Sequence, residues 1–236
     1  MLAGMRCPSC RSAVPDGSRF CSTCGHDLQA RADERRVVTV LFGDLAGFTS
    51  MAEMVDPELV KNLVDRCFER LVRDIVAFGG RVDKIVGDAI VALFGAPVAH
   101  EDDAERAVRA ALAMQETMAA YREETGTSMQ LRIGINTGEV VVGNIGSYLR
   151  IDYTAIGDNV NIAARIESGT AAHQILVSET TYETTKDYFE YNCVGERMMK
   201  GKTVPIKLYE VLGWKEEPTA ASSAETADSG AKTDEV

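Results

Sequence analysis

The chain has 236 residues, with 36 Asp and Glu against 25 Lys and Arg, and a formal charge of −11 at pH 7. That balance argues against a protein built for non-specific nucleic-acid binding, and no apolar run approaches the roughly 18 residues that a membrane helix needs. The length suits one domain of ordinary size plus attachments, and an apolar content of 45% can fill a core.

In chain order, Met1–Arg6 lacks the apolar centre of a signal peptide, which with the cysteine usage reads as cytoplasmic. Residues 1–30 contain Cys7-Pro8-Ser9-Cys10 and Cys21-Ser22-Thr23-Cys24, two Cys-x-x-Cys knuckles separated by ten residues. Such spacing fits a four-thiolate Zn²⁺ site, and a segment without an apolar core would draw its folding energy from the metal. Disulfides are the alternative. Four thiolates leave no open coordination position, so this zinc ribbon reads as a structural or adaptor element with a protein partner of its own. Cys67 and Cys193 fall in helical and strand patterns and read as packed thiols.

A charged linker at 31–36 precedes the strand Val37–Gly43, which ends at Asp44. A short helix is expected around Phe48-Thr49-Ser50. Asp56 is a suitable N-cap with Pro57 at the first helical position, and Leu63, Val64, Cys67, Leu71 and Ile75 recur at helical spacing until Gly79-Gly80. Residues 81–94 read as a hairpin whose turn holds Gly87-Asp88. A second helix spans about 101–125, with Met114 and Met118 on its core face. Strands are expected at 129–135 and 139–144, then an irregular polar segment at 145–152, and a helix from Asn159 to Glu167. A strand at 175–177, a short helix, and strands near 189–194 and 206–211 complete the domain at about residue 212. Residues 213–236, without periodicity, read as a disordered acidic tail. The order gives an α+β sandwich, with helices on one face of a mainly antiparallel sheet.

Asp44 and Asp88 each follow a glycine at the end of an apolar run. Either one alone suits an ordinary turn former. Two carboxylates fixed at neighbouring strand ends can instead hold divalent metal against a nucleotide's phosphates, and Gly47-Phe48-Thr49-Ser50 can aim backbone N–H groups at phosphate.

Four separated segments carry a more specific likeness: Leu41-Phe42-Gly43-Asp44-Leu45-Ala46-Gly47-Phe48-Thr49, Lys84-Ile85-Val86-Gly87-Asp88, Arg132-Ile133-Gly134-Ile135-Asn136-Thr137-Gly138-Glu139-Val140, and Tyr153-Thr154 through Asn161 to Arg165. Together they resemble the catalytic domain of class III nucleotidyl cyclases over roughly residues 36–212. The resemblance implies a ferredoxin-like βαββαβ-type sandwich and two Mg²⁺ or Mn²⁺ ions on Asp44 and Asp88, with the backbone carbonyl of Leu45 an additional ligand. It implies that Asn161 positions the ribose, that Arg165 stabilises charge on the α-phosphate, and that Lys200 holds the terminal phosphates. Lys84 and Thr154 take the base-reading positions. Adenylyl cyclases of the class have lysine at the first, and many have aspartate at the second, so this chain is similar to a threonine-bearing subset. ATP is then the substrate and cyclic AMP the product. The family builds its site from two subunits, which implies a head-to-tail homodimer with 145–152 crossing to the partner. The alternatives are a guanylyl cyclase, a catalytically silent nucleotide-binding signalling module, and an adaptor acting through the ribbon.

Overall fold

The computed structural model describes residues 5–7, 10–24, 33–48, 51, 55–147, 150–199 and 204–215, with the backbone alone at 5, 145–147 and 150–152. The N-terminal segment contributes a two-stranded antiparallel sheet, β1 (Met5–Arg6) and β2 (Ala13–Val14). The rest is organised on an eight-stranded sheet.

Its centre is a pair of long antiparallel strands, β3 (Glu34–Ala46) and β6 (Gln130–Ser147), in register from Glu34 opposite Val142 to Ala46 opposite Gln130. β5 (Ala89–Phe94) pairs with the other edge of β3, and β4 (Arg81–Val86) with β5. On the far side β8 (Ile175–Ser178) runs parallel to β6, followed by β10 (Ile206–Trp214) and the edge strand β9 (Phe189–Arg197). β7 (Arg150–Ile156) folds back along the distal half of β6.

β3 begins at Glu34, inside the stretch expected as a linker. Arg36 is anchored there because its guanidinium donates to the carbonyls of Gly95 (3.2 Å) and Pro97 (2.9 Å). β10 likewise runs two residues past the expected boundary at 212. The break expected near 136–138 does not occur, and β6 is one strand. Its polar residues find partners on both faces: Thr137 bonds Thr39 and Thr181 (2.9 Å each), and Asn136 donates to the Asn159 carbonyl (2.9 Å). The segment expected to be irregular near 145–152 is, in its described backbone, the end of the β6–β7 hairpin, with Ser147 opposite Arg150.

Side chains alternate across β3. Leu41 and Leu45 enter one core with Phe68, Leu71 and Ile75 of α1 (Pro57–Ala77) and Met114 and Met118 of α2 (Asp103–Thr125). Asp56 caps α1, its carboxylate accepting from the Glu58 N–H at 2.9 Å. Cys67 is buried in this core, where burial pushes its thiol up to about 11. Val38 and Val40 face the opposite way and pack with Val91, Leu93, Val142, Ala155 and Ala163, the last from α3 (Asp158–Ser168). Helices therefore cover both faces, correcting the one-sided expectation. α4 (Glu179–Thr185) joins the first face through Tyr182, which stacks on Tyr209 at 3.7 Å. Cys193 is exposed rather than packed, on the edge strand beside a bulge that leaves Val194 without a partner in β10. Of the expected tail at 213–236, Gly213 and Trp214 belong to β10, and residues 216–236 lie outside the described residues.

Two glycines let α3 lie directly on β6. A Cβ at Gly134 would come within 2.3 Å of the Glu167 backbone nitrogen, and one at Gly138 within 2.3 Å of the Asn159 side chain. Gly134→Ala must therefore lift the helix. It is expected to cost about 1–3 kcal/mol, roughly 2–12 °C in Tm for a domain of this size, measured by thermal denaturation of the full chain.

Candidate active site

Asp44 ends the apolar run of β3 and is 9% exposed. It pairs with Ala89, the first residue of β5, and the next N–H, from Leu45, donates to the Asp88 carbonyl at 3.0 Å. Gly87 (φ 62°) permits the turn between β4 and β5 that carries Asp88, since a residue with a Cβ resists the left-handed region. The sheet thus brings the two aspartates, far apart in sequence, to one end of three adjacent strands. Burial raises the Asp44 carboxyl above its ordinary value, and the Asp88 charge adds to this, while Arg132 acts in the opposite sense.

Arg132 was not singled out in the sequence. It faces Asp44 across the β3–β6 ladder and donates from Nε to Asp44 Oδ2 at 2.8 Å, with Nη2 at 2.6 Å from the same oxygen. Its Nε also lies 2.7 Å from Glu167 Oε1, an ion pair without hydrogen-bond alignment because that N–H points at Asp44. Burial raises the Glu167 carboxyl as well. The signal in the sequence is an arginine between the buried Leu131 and Ile133, legible only once the register of β3 and β6 is known.

Glu167 belongs to α3, which the two glycines hold against this same face. Asn161 and Arg165 share one side of α3 by their i, i+4 spacing. Asn161 is exposed, and the Arg165 Nη1 is buried without a hydrogen-bond partner, an unmet donor of the kind an anion satisfies.

Lys84 and Thr154 are brought together. The β6–β7 hairpin curls over the second face so that Arg81 donates to the Tyr153 carbonyl at 2.8 Å, tying β4 to β7. Between them stands Asp83, its side chain 4% exposed, whose Oδ2 accepts from Thr154 Oγ1 at 2.8 Å and lies 3.3 Å from Lys84 Nζ. Asp83, like Arg132 and Glu167, was not singled out in the sequence.

Leu45 is fully buried beneath the Asp44–Asp88 junction. Phe48 packs against the core beside Gly87 in a cleft of about 390 Å³ that Lys61 and Val64 also line. The Met51 N–H donates to the Gly47 carbonyl at 3.2 Å and the Val55 N–H to the Met51 carbonyl at 3.1 Å. Thr49 and Lys200 lie outside the described residues.

The four ribbon cysteines form a second centre. Their sulfurs lie within 4.8 Å of one another, with Cys7 and Cys24 3.7 Å apart and Cys10 and Cys21 3.6 Å apart. A tetrahedral Zn–S distance of about 2.3 Å gives S···S edges near 3.8 Å, so the set has the dimensions of a four-thiolate site and not of two disulfides. Bonds from Ser12 hold the Cys10 thiol down at about 6, and the Cys24 backbone N–H lowers that of Cys21, both favouring the ligating thiolate.

Comparison with known proteins agrees with this arrangement. Residues 30–213 match the family model described as the adenylate and guanylate cyclase catalytic domain, and residues 6–28 match a zinc-ribbon domain. Adenylate cyclase 1 of Rhizobium meliloti is 34% identical over 195 residues, covering 80% of this chain, which spans 29% of that protein's length. Among solved structures, the adenylyl cyclase CyaB from P. aeruginosa superposes with a TM-score of 0.75 at 35% identity, over 77% of this chain and 96% of that one. The guanylyl cyclase Cya2 superposes with a TM-score of 0.76 at 39% identity, over 80% of this chain and 98% of that one. Among the described residues no helix is long and apolar enough to cross a membrane. The chain belongs to the adenylate and guanylate cyclase catalytic domain family, with a zinc-ribbon segment preceding the catalytic domain.

Proposed function

We propose that the chain is an adenylate cyclase, converting ATP to 3′,5′-cyclic AMP and pyrophosphate at sites shared between two copies in a cytoplasmic homodimer. The observation that carries the reaction class is the junction of Asp44 and Asp88 through the Leu45 N–H, in a chain of this family. The two carboxylates and the Leu45 carbonyl offer hard oxygen ligands suited to Mg²⁺ or Mn²⁺. Bound there, two such ions would lower the pKa of the ribose 3′-hydroxyl and offset charge on the phosphates. The hydroxyl oxygen attacks the α-phosphorus, its proton leaves to solvent, and the bond to pyrophosphate breaks.

In this reading Asn161 orients the ribose and Arg165 offers its unmet guanidinium donors to charge growing on the α-phosphate. Phe48, Thr49 and Lys200 are assigned to the phosphates, the first two through the turn after β3. Lys84 and Thr154 face the base. Support for adenine comes from their convergence: Lys84 supplies a donor for N1 and Thr154 an oxygen for the 6-amino group. Support for a second copy comes from β4, an edge strand that exposes Ile85 (45%) and Val86 (62%) between Lys84 and Asp88, apolar surface that a partner would cover. The ribbon, assigned to residues 1–30, serves as a Zn²⁺-stabilised adaptor for a protein partner.

With Mn²⁺ the purified chain should release cyclic AMP and pyrophosphate from ATP in equal amounts, with GTP a poor substrate. Asp44→Ala should lower kcat by at least about a thousandfold, as removal of a metal ligand does, while leaving Tm within a few degrees. Release of cyclic GMP at a comparable rate would overturn the substrate assignment. The ribbon should hold one Zn²⁺ per chain by elemental analysis, and Cys21→Ser should lose it without abolishing cyclase turnover, because the two centres share no residue.

A further inference from the structure

The base-facing pair is set by a third residue. Strand β4 carries a bulge: Val82 pairs with Ala92 and Lys84 with Val91, so Asp83 is an extra residue with no partner in β5. A bulge re-aims side chains, and here it sets Asp83 against Thr154 with Lys84 Nζ 3.3 Å from the same carboxylate oxygen. Asp83 is almost wholly buried, with Oδ2 accepting the Thr154 hydroxyl proton and standing beside Lys84 Nζ. Its Oδ1 is buried and has no hydrogen-bond partner, so the carboxylate is not consumed by structural bonds elsewhere.

The hydrogen-bond inventory then has one solution. A threonine hydroxyl has one proton and two lone pairs, and a carboxylate only accepts. While Asp83 holds that proton, Thr154 can present only lone pairs to a ligand. Lys84, which has only protons to give, is the donor. The pocket therefore offers a donor and an acceptor side by side, with the ambiguity of a free hydroxyl removed. A 6-aminopurine has the complementary edge, an acceptor at N1 and a donor at N6. A 6-oxopurine has the reverse, N1–H and O6, and in the same pose both contacts oppose like with like. A threonine thus acquires the acceptor-only character of an aspartate without placing a charge against the base.

We propose that Asp83 is the positioning residue that makes this pocket select 6-aminopurine nucleotides, by holding Thr154 as a pure acceptor beside the Lys84 donor. The inference rests on the reading of Lys84 and Thr154 as the base-facing pair, and its test separates the two.

The measurement is kcat/KM for ATP and GTP, side by side, on the full chain with Mn²⁺, for the wild type, Asp83→Asn, Thr154→Ala and the double variant. An asparagine can donate its amide to the Thr154 oxygen and release the hydroxyl proton toward O6. Asp83→Asn is expected to lower the ATP/GTP ratio by at least about tenfold, the equivalent of one unsatisfied buried polar contact. Adding Asp83→Asn to Thr154→Ala should move the ratio no further, because Asp83 acts through the hydroxyl; a merely structural role would give the same extra loss in either background. A ratio within about twofold of wild type in Asp83→Asn, with Thr154→Ala shifting it, overturns the role of Asp83 and leaves the base pair standing. If Thr154→Ala leaves the ratio unmoved, the base-facing reading fails and the inference fails with it. A further measurement needs no variant. Inosine triphosphate has O6 and N1–H but lacks the 2-amino group of guanine, and the wild type should use it at least about tenfold less well than ATP. Turnover within about twofold of ATP would overturn the proposal, whatever the folding of the variants.

Discussion

The register of β3 against β6 is the constraint on which the rest depends. Side chains alternate with a period of two, so a slip of one residue would send Asp44 into the apolar core with Leu41 and Leu45 and bring one of those to the site. The observed register does the reverse. It sets Asp44 opposite Arg132 and places Gly134 and Gly138 under α3, so that the helix bearing Asn161 and Arg165 can rest on the strand itself. Thirteen consecutive pairs, with the buried hydroxyls of Thr39, Thr137 and Thr181 at the middle, make a different register costly. The same ladder fixes β5 on the other side of β3, and with it the turn that holds Asp88.

The electrostatics of that corner follow from burial. Asp44 and Glu167 are both nearly covered, and a buried carboxylate without a cation is expensive. Arg132 stands between them and serves both, yet one guanidinium faces three carboxylates once Asp88 is counted. The balance left is negative and lies at the edge of the sheet, where divalent cations and phosphates can reach it. The strand holds the direction of Asp44, and in the proposed reading a divalent cation on Asp44 and Asp88 would offset the remaining cost of its charge.

Much of this was legible in the residues. Asp56-Pro57 before an apolar period of 3.6, and glycines after Phe78 and Thr125, gave the two long helices to within a residue or two, because capping is local chemistry. Gly87-Asp88 between two apolar runs gave the hairpin. What could not be read were contacts that exist only after pairing. Arg132, Glu167 and Asp83 each sit beside their partners because strands far apart in sequence are aligned, and nothing within a few residues of them signals it. The supposed break at 136–138 failed for a related reason: polar residues in a strand look like a loop until neighbouring elements satisfy them, as Thr39, Thr181 and Asn159 do here. Cys193 was misjudged because the bulge beside it on the edge strand cannot be read from the sequence.

Asp44 and Asp88 meet at one end of the sheet, and Asn161 and Arg165 lie on one helix, so each copy carries both halves of the chemistry. In the proposed homodimer no copy uses its own two halves together. Mixing two inactive variants tests this directly: Asp44→Ala removes the metal half and Asn161→Ala the ribose half, so a heterodimer of the two has one doubly damaged site and one intact site. Random re-association should restore up to about a quarter of the wild-type cyclic AMP production, since about half the dimers are mixed and each has one working site. A mixture no more active than its components, although exchange of subunits is shown by a labelled pull-down, would contradict the divided site and place the whole reaction within a single chain.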